Sequence, residues 1–196
     1  MAKGIIPPEI LLEGYAQGIF PMARSRNDSG IDWYTAPRRG IIPVDKFHLS
    51  RRALRFIRNK TYRRAINENF RQVMEECAAR ESTWISNRII DSFEILHKMG
   101  HAHSVEIYRD GKLAAGVYGV TLRSAFFAES LFQREPEMSK AALYHCWKRL
   151  YERRFMLWDV QFYTPHLGQF GCVEIEAEAY MKQLSEALRH KADFAD

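Results

Sequence analysis

The sequence of 196 residues contains little cysteine and no long apolar run. Its three cysteines, Cys77, Cys146 and Cys172, are odd in number and lie in segments that are otherwise typical of a core, which favours reduced thiols over a disulfide framework. No segment reaches the roughly 20 consecutive apolar residues of a membrane-spanning helix, and the N-terminus lacks the apolar stretch of an export signal. The composition therefore predicts a soluble, cytoplasmic protein with no membrane contact.

The common signatures of phosphate loops and covalent catalysis are also missing. Neither the Gly-x-x-x-x-Gly-Lys loop nor the Gly-x-Gly-x-x-Gly loop occurs, which weighs against nucleoside triphosphate and dinucleotide chemistry. There is no Gly-x-Ser-x-Gly sequence around a nucleophilic serine. The clustered His97, His101 and His103 lack the cysteines or carboxylates that would complete a familiar metal set, so no metal site is predicted.

Positive charge is concentrated in one part of the chain. The net charge is +5, yet the basic residues of the segment 38–64 are opposed there only by Asp45. Such a cluster is the electrostatic footprint of a partner with a phosphate backbone. A solvated basic helix balanced by acids elsewhere is an equally weighted alternative, and an anionic membrane surface ranks third. The basic residues are Arg38, Arg39, Lys46, Arg51, Arg52, Arg55, Arg58, Lys60, Arg63 and Arg64.

Local patterns divide the chain into a short N-terminal lobe and a main domain. Pro7 and Pro8 suit the start of a helix and Gly18 suits its end. Residues 20–35 are rich in turn formers, and we expect them to be irregular. We therefore place the lobe at residues 1–35 and the main domain at residues 36–196.

The main domain is expected to begin with three helices, for which Ser50, Asn67 and Ser86 are the candidate N-caps. An antiparallel meander follows, with strands over 103–109, 113–121 and 125–132 and with Asp110-Gly111 as the first turn.

The last third of the chain predicts a helix, a strand and a final helix. Residues 139–154 have helical periodicity, the apolar run 155–161 is typical of a strand buried on both faces, and 177–188 form a last amphipathic helix. A meander followed by a crossover helix and a further strand is the layout of the acyl-CoA N-acyltransferase (GNAT-like) fold. The fold class is therefore α/β (α+β), a mixed sheet flanked by helices.

Three polar residues, Glu129, Asp159 and Gln161, interrupt apolar segments of the predicted sheet. Asp159 and Gln161 lie two positions apart, so a strand projects both side chains from one face. Buried carboxylates usually have partners, so the residues alone favour a salt bridge for Asp159 and, at similar odds, for Glu129. The alternative is a catalytic site, because carboxylates from two strands can converge on one cleft.

Eight motifs, in order from residue 18 to residue 167, resemble the leucyl/phenylalanyl-tRNA–protein transferase family. They are Gly18-Ile-Phe-Pro21, Arg39-Gly-Ile-Ile-Pro43, Thr83-Trp-Ile85, Gly100-His-Ala-His-Ser-Val-Glu106, Glu129-Ser-Leu-Phe132, Ser139-Lys140, Asp159-Val-Gln161 and His166-Leu167. The resemblance implies transfer of leucine or phenylalanine, with methionine as a further candidate, from aminoacyl-tRNA to the α-amino group of a protein that begins with arginine or lysine. The product is an N-degron for protein degradation. The resemblance implies no cofactor and no metal, and we expect a monomer.

The resemblance also assigns roles to individual residues. Gln161 would position the attacking amine, Asp159 would accept a hydrogen bond from an amide N–H of Gln161 and orient it, and Glu129 would bind an α-ammonium group. The remaining candidates are Trp33 and Trp84 near the terminal adenosine, Val117, Phe126, Leu131 and Trp158 around the transferred side chain, and Arg38, Arg51, Arg52, Arg55 and Arg58 along the tRNA phosphates.

Three departures from the family pattern leave the transferred amino acid open. Trp158 stands where the family has a smaller aliphatic residue, Val117 is smaller than the usual methionine or leucine, and Tyr34 replaces a usual tryptophan. Three other functions remain as alternatives: transfer of arginine from tRNA, acetyl-CoA-dependent N-acetylation, and tRNA binding without catalysis. The acetyltransferase is disfavoured because the predicted crossover helix lacks the glycine-rich pyrophosphate loop at its start.

Overall fold

The computed structural model describes residues 4–28, 30–59 and 62–195, so Lys60 of the basic segment lies outside the described residues. The chain begins with helix α1 (Pro8–Ala16), which ends before Gly18 as predicted. It continues into an antiparallel pair of short strands, β1 (Phe20–Met22) and β2 (Asp32–Tyr34). The expectation that residues 20–35 are irregular is therefore wrong, because Pro21 lies within β1 and the other turn formers that the structure describes, Asn27, Asp28 and Gly30, occupy the loop between the two strands.

The next three elements are β3 (Arg38–Ile41), α2 (Arg51–Arg58) and β4 (Arg63–Ile66). Ser50 caps α2 as predicted, since its hydroxyl accepts a hydrogen bond from the backbone N–H of Ala53 at 3.2 Å. Neither β3 nor β4 was expected. Each begins with two consecutive arginines, so neither shows the apolar alternation that indicates a strand.

Helices α3 (Phe70–Ala78) and α4 (Asn87–Lys98) follow. Ser86 caps α4 as predicted. The N-cap prediction for Asn67 is wrong, because α3 begins three residues later and Asn67 adopts a left-handed conformation with φ 59°. Its side-chain oxygen instead accepts a hydrogen bond from the backbone N–H of Ser104 at 3.0 Å, which ties β4 to the next strand.

The predicted meander is confirmed as β5 (Ala102–Arg109), β6 (Lys112–Leu122) and β7 (Ala125–Gln133), paired antiparallel in sequence order. The Asp110-Gly111 turn has positive φ at both positions, as expected for this type of hairpin. The crossover helix is α5 (Met138–Glu152), and β8 (Leu157–Gln161) pairs parallel to β7. The remaining elements are α6 (Pro165–Gly168), β9 (Val173–Glu176) and α7 (Ala177–Arg189).

The main sheet has seven strands in the order β4-β5-β6-β7-β8-β3-β9. Residues of α1, α3, α4 and α7 pack in one core cluster, and residues of α2 and α5 pack in another. Because neighbouring residues of the central strands, such as Val117 and Tyr118, belong to different clusters, the two clusters cover opposite faces of the sheet. The mixed α/β fold with helices on both faces is confirmed. None of the helices in the described ranges is long and apolar enough to cross a membrane.

The parallel pair β7 and β8 separates before either strand ends. Their register joins Ala125 to Leu157 and ends where Phe127 meets Asp159. Glu129 and Gln161 lie two residues beyond that last pair, so the sheet opens at the level of these two side chains.

Candidate active site

A cavity of about 330 Å³ lies where β7 and β8 separate. Four of the predicted site residues line it: Trp84, Glu129, Leu131 and Gln161. The strand separation and the cavity thus bring together residues from three distant parts of the chain. Apolar walls are supplied by Phe20, Met22, Val160, Phe162 and Leu167, and further polar groups by Arg80, Ser130, Thr164 and His166.

The Glu129 carboxylate is nearly buried and accepts two hydrogen bonds at one oxygen. The Tyr15 hydroxyl donates to Oε1 at 2.8 Å, and the side-chain amide of Gln161 donates to the same atom at 3.0 Å. Burial raises the pKa of Glu129 to about 8, the charge of Asp159 adds to the rise, and the two hydrogen bonds and Arg39 oppose it. Glu129 can therefore gain or lose a proton near neutral pH, which suits acid–base work on an amine.

Gln161 ends β8 in a left-handed conformation, with φ 58°. The backbone N–H of Phe162 donates to the Val160 carbonyl at 2.7 Å, so the chain turns sharply around Gln161. Close approach of the neighbouring strand requires glycine at position 40, because a Cβ there would lie 2.6 Å from the carbonyl carbon of Phe162. Strained backbone of this kind persists where its surroundings hold it, and it is frequent at functional sites. Among the described residues, none donates a hydrogen bond to the side-chain oxygen of Gln161.

Asp159 is wholly buried and makes an ion pair. Arg39, also buried, donates from Nε to Oδ1 at 3.0 Å and from Nη2 to Oδ2 at 2.7 Å. The Tyr180 hydroxyl donates to Oδ2 at 2.7 Å, and the backbone N–H of Gln161 donates to Oδ1 at 2.8 Å. The salt bridge that the residues alone favoured for Asp159 is therefore present. It stabilises the backbone of the turn at Gln161, whereas the side-chain amide of Gln161 is held by Glu129.

Three residues of this network were not among the predicted site residues: Tyr15 of α1, Arg39 of β3 and Tyr180 of α7. Arg39 was counted with the basic segment as a phosphate contact, which its burial rules out. Instead its guanidinium donates to the Gly18 carbonyl at 3.0 Å and lies over the Tyr180 ring. The motifs that begin at Gly18 and Arg39 marked these two positions, but nothing in the sequence paired them.

The four residues predicted around the transferred side chain do not share the cavity. Val117, Phe126 and Trp158 are buried in the core cluster beneath α5, and only Leu131 both packs against that cluster and lines the cavity. The Trp158 ring packs against Phe47, with ring centroids 5.7 Å apart.

The two tryptophans predicted near the terminal adenosine are also separated. Trp84 lines the cavity, whereas Trp33 packs against Gly14 of α1 and is not among the lining residues. A Cβ at Gly14 would lie 2.3 Å from the Trp33 ring, so the glycine makes this packing possible.

The five arginines predicted along the tRNA phosphates are all exposed. Arg51, Arg52, Arg55 and Arg58 lie on α2. Arg38 lies apart from them at the start of β3, and its Nε is 3.8 Å from Glu174 and 3.6 Å from Glu176 of β9. The structure therefore groups the four α2 arginines into one basic surface, where only Arg52 lies within ion-pair distance of a described acid, 4.0 Å from Glu137, and leaves Arg38 beside two acids.

Comparisons with known proteins cover almost the whole chain. A family model described as the leucyl/phenylalanyl-tRNA protein transferase matches residues 41–185, and a model of the N-terminal domain of that transferase matches residues 4–37. The leucyl/phenylalanyl-tRNA–protein transferase of Ruegeria pomeroyi is 48% identical over 97% of this chain and 90% of its own length. The protein of the same name from Cereibacter sphaeroides strain KD131 is 47% identical over 99% of this chain and 91% of its own length.

Among solved structures, a GCN5-related N-acetyltransferase-like protein from Streptococcus suis aligns with 94% of this chain and 63% of its own chain. The identity is 13% and the TM-score is 0.36, which is too low to support a conclusion. The family matches and the near-half identity to full-length relatives do support one. This chain belongs to the leucyl/phenylalanyl-tRNA–protein transferase family.

Proposed function

We propose that the cavity between β7 and β8 is where leucine or phenylalanine is transferred from aminoacyl-tRNA to the N-terminal α-amino group of a protein. Membership of the family supports the reaction. The observation that supports this location is the hydrogen-bonded pair of Glu129 and Gln161, two polar side chains that line an otherwise largely apolar cavity.

Glu129 is proposed to take the proton that the acceptor amine must lose. A free α-amino group has a pKa of about 7.7–8.0, so much of it is ammonium at neutral pH and cannot attack a carbonyl. Burial raises the pKa of Glu129 to about 8, close to that of the amine. At neutral pH a group with this pKa is mostly protonated, and the positive charge of an arriving ammonium favours its ionised form, whose proton passes to solvent. The resulting carboxylate binds the ammonium as a counter-ion and, because the two pKa values are close, can then accept its proton at little cost.

Gln161 is proposed to hold the freed amine in line with the ester carbonyl carbon. Its side-chain NH₂ group donates a hydrogen bond to Glu129. The side-chain carbonyl oxygen is therefore left to accept a hydrogen bond from an amine N–H. The nitrogen then attacks, the C–N bond forms, and the ester C–O bond breaks. The second proton lost by the nitrogen balances the one that the terminal ribose oxygen gains as it leaves as a hydroxyl.

Asp159 is proposed to act through backbone geometry. Its bond to the Gln161 backbone N–H fixes the turn that presents the Gln161 side chain, and Arg39 and Tyr180 fix Asp159 in turn. Because the ester already stores the free energy of the new peptide bond, these residues need only position and deprotonate.

The finer properties of the substrates follow from the family resemblance. We propose that the acceptor begins with arginine or lysine, that the product is an N-degron, and that the α2 arginines contact tRNA phosphates. We further propose that the protein acts as a monomer in the cytoplasm, a reducing compartment that suits its three unpaired, buried cysteines.

Transfer assays with four charged tRNAs test this function. The protein is incubated with leucyl-, phenylalanyl-, methionyl- or arginyl-tRNA, or with acetyl-CoA, and with a peptide that begins with arginine or lysine. We expect transfer of leucine or phenylalanine to the peptide N-terminus. Transfer from acetyl-CoA alone, or of arginine alone, would replace this function with one of the alternatives. The same assay ranks the amino acids, which the replacements at Val117 and Trp158 leave open.

A further inference from the structure

Two arginines beside the cavity have no acidic partner. Arg80 lines the cavity, and its Nη2 donates to the Leu131 carbonyl at 2.5 Å and lies 3.4 Å from the Ser130 hydroxyl. Arg26, in the loop between β1 and β2, donates from Nη2 to the Ala78 carbonyl. Within the described ranges, neither guanidinium lies within ion-pair distance of a carboxylate, whereas the nearby Arg24 pairs with Asp32 at 3.0 Å. Both charges are therefore free for an anionic ligand.

Both arginines are anchored at the end of α3, Arg26 through its guanidinium and Arg80 through its backbone N–H. The Ala78 carbonyl that accepts the Arg26 side chain also accepts the backbone N–H of Arg80 at 2.8 Å. Carbonyls at the C-terminus of a helix carry partial negative charge, which favours cations there. The loop between β1 and β2, which carries Arg26, is also tied to the cavity wall, because the backbone N–H of Ala23 donates to the Trp84 carbonyl at 3.1 Å. Trp84, Arg80 and Arg26 thus belong to one connected wall.

The distance between Arg80 and the proposed reacting groups fits the 3′ end of a nucleic acid. The residues that Arg80 contacts, Ser130 and Leu131, directly follow Glu129 on β7. Two residues of a strand span about 7 Å, the scale of one nucleoside. A donor whose ester lies at Glu129 and Gln161 would therefore bring its first phosphodiester to Arg80. Guanidinium binds phosphate through paired hydrogen bonds, and the Nε and Nη1 groups of Arg80 make no other hydrogen bond to the described residues.

We propose that Arg80 binds the phosphodiester on the 5′ side of the terminal adenosine of the donor tRNA, and that Arg26 binds the next phosphodiester. The order follows from their places, because Arg80 lines the cavity and Arg26 does not. This inference rests on the proposed function and adds two phosphate contacts that the proposed function does not include. It also separates the single-stranded 3′ end from the body of the tRNA, for which α2 is the proposed surface.

A series of shortened donors tests each contact separately. The donors are phenylalanyl esters of adenosine, of CpA and of CpCpA, which carry none, one and two phosphodiesters, and full phenylalanyl-tRNA. Wild type, Arg80→Ala and Arg26→Ala are compared by kcat/KM. Lys112→Ala, which removes an exposed cation of the β5–β6 hairpin, is the matched control. Thermal unfolding of each variant checks that the fold is retained.

Arg80→Ala is expected to match wild type with the adenosine ester and to lose about tenfold to a hundredfold with every donor that carries a phosphodiester. Arg26→Ala is expected to match wild type with adenosine and CpA and to lose a similar factor only with CpCpA and tRNA. Arg80→Lys should recover part of the loss, and Lys112→Ala should leave all donors unchanged.

Equal losses for Arg80→Ala with all four donors would assign Arg80 to the reacting carbonyl and overturn the inference, as would no loss with any donor. A loss for Arg26→Ala that already appears with the adenosine ester would overturn its part. The wild-type arm tests the proposed function by itself. If the wild type transfers nothing from phenylalanyl-tRNA, both proposals fail. If the wild type is active and each arginine variant has the wild-type kcat/KM with every donor, only the proposed arginine contacts are refuted.

Discussion

Replacing Asp159 by alanine is expected to destabilise the whole protein as well as the active site. Asp159 is wholly buried and is the acceptor for the Arg39 guanidinium, the Tyr180 hydroxyl and the Gln161 backbone N–H. Removing one member of a buried ion pair leaves the other as an uncompensated charge, which costs about 3–5 kcal/mol. Whole domains have a free energy of unfolding of about 5–15 kcal/mol, so this variant should be close to unfolding.

A double-mutant cycle separates the ion pair from the rest of this cost. Arg39→Leu and Asp159→Leu should each lose about 3–5 kcal/mol, while the double variant should lose less than the sum, because no buried charge remains. The assay is urea unfolding followed by tryptophan fluorescence. Gln161→Ala is the matched control, since its side chain lies at the cavity and its loss should cost about 1 kcal/mol or less. Strictly additive single effects, or an Asp159→Ala protein as stable as wild type, would refute the buried pair.

Three further predictions concern other parts of the structure. Because burial raises the pKa of Glu129 to about 8, wild type should lose stability relative to Glu129→Gln as pH rises from about 4.5 to 8, measured as the difference in melting temperature; a constant difference would contradict the raised pKa. Arg51→Ala and Arg55→Ala should each weaken tRNA binding and flatten its salt dependence by about one unit, whereas Arg38→Ala, beside acids, should change the slope little. Equal slopes for all three would remove α2 from the tRNA path. Gly40→Ala, whose Cβ would lie 2.6 Å from the turn after β8, should cost about 1–3 kcal/mol in urea unfolding, and a wild-type midpoint would contradict the tight approach.

The sequence predicted elements whose signals are local. The N-caps Ser50 and Ser86, the Asp110-Gly111 turn and the apolar periodicity of α5 each act within a few residues, and each prediction was confirmed. The prediction for Asn67 failed because its side chain bonds to a strand 37 residues away instead of to its own helix. Long-range pairing of this kind overrides local preference.

The candidate site was likewise predicted where the signal is local and missed where it depends on long-range contacts. Polar residues in apolar strands drew attention to Glu129, Asp159 and Gln161. The partners that fix them come from sequence separations of 114 residues for Tyr15 and 120 residues for Arg39. A tyrosine on an apolar helix face and an arginine in a basic run both have common explanations that need no such partner. Only the folded arrangement of the N-terminal helix, β3 and α7 around β8 identifies their contacts.

The central claim is that Glu129 and Gln161 carry the transfer, and single-turnover kinetics test it most directly. Wild type, Glu129→Gln and Gln161→Ala are each saturated with phenylalanyl-tRNA and mixed with a peptide that begins with arginine. The rate of peptide-bond formation and the affinity for tRNA are measured for each protein. Loss of positioned proton transfer costs about 10²–10⁴ in rate, so we predict a fall of at least about 100-fold for Glu129→Gln with tRNA affinity nearly unchanged. Rates close to wild type in both variants, or rate and tRNA affinity falling by the same factor, would contradict the account.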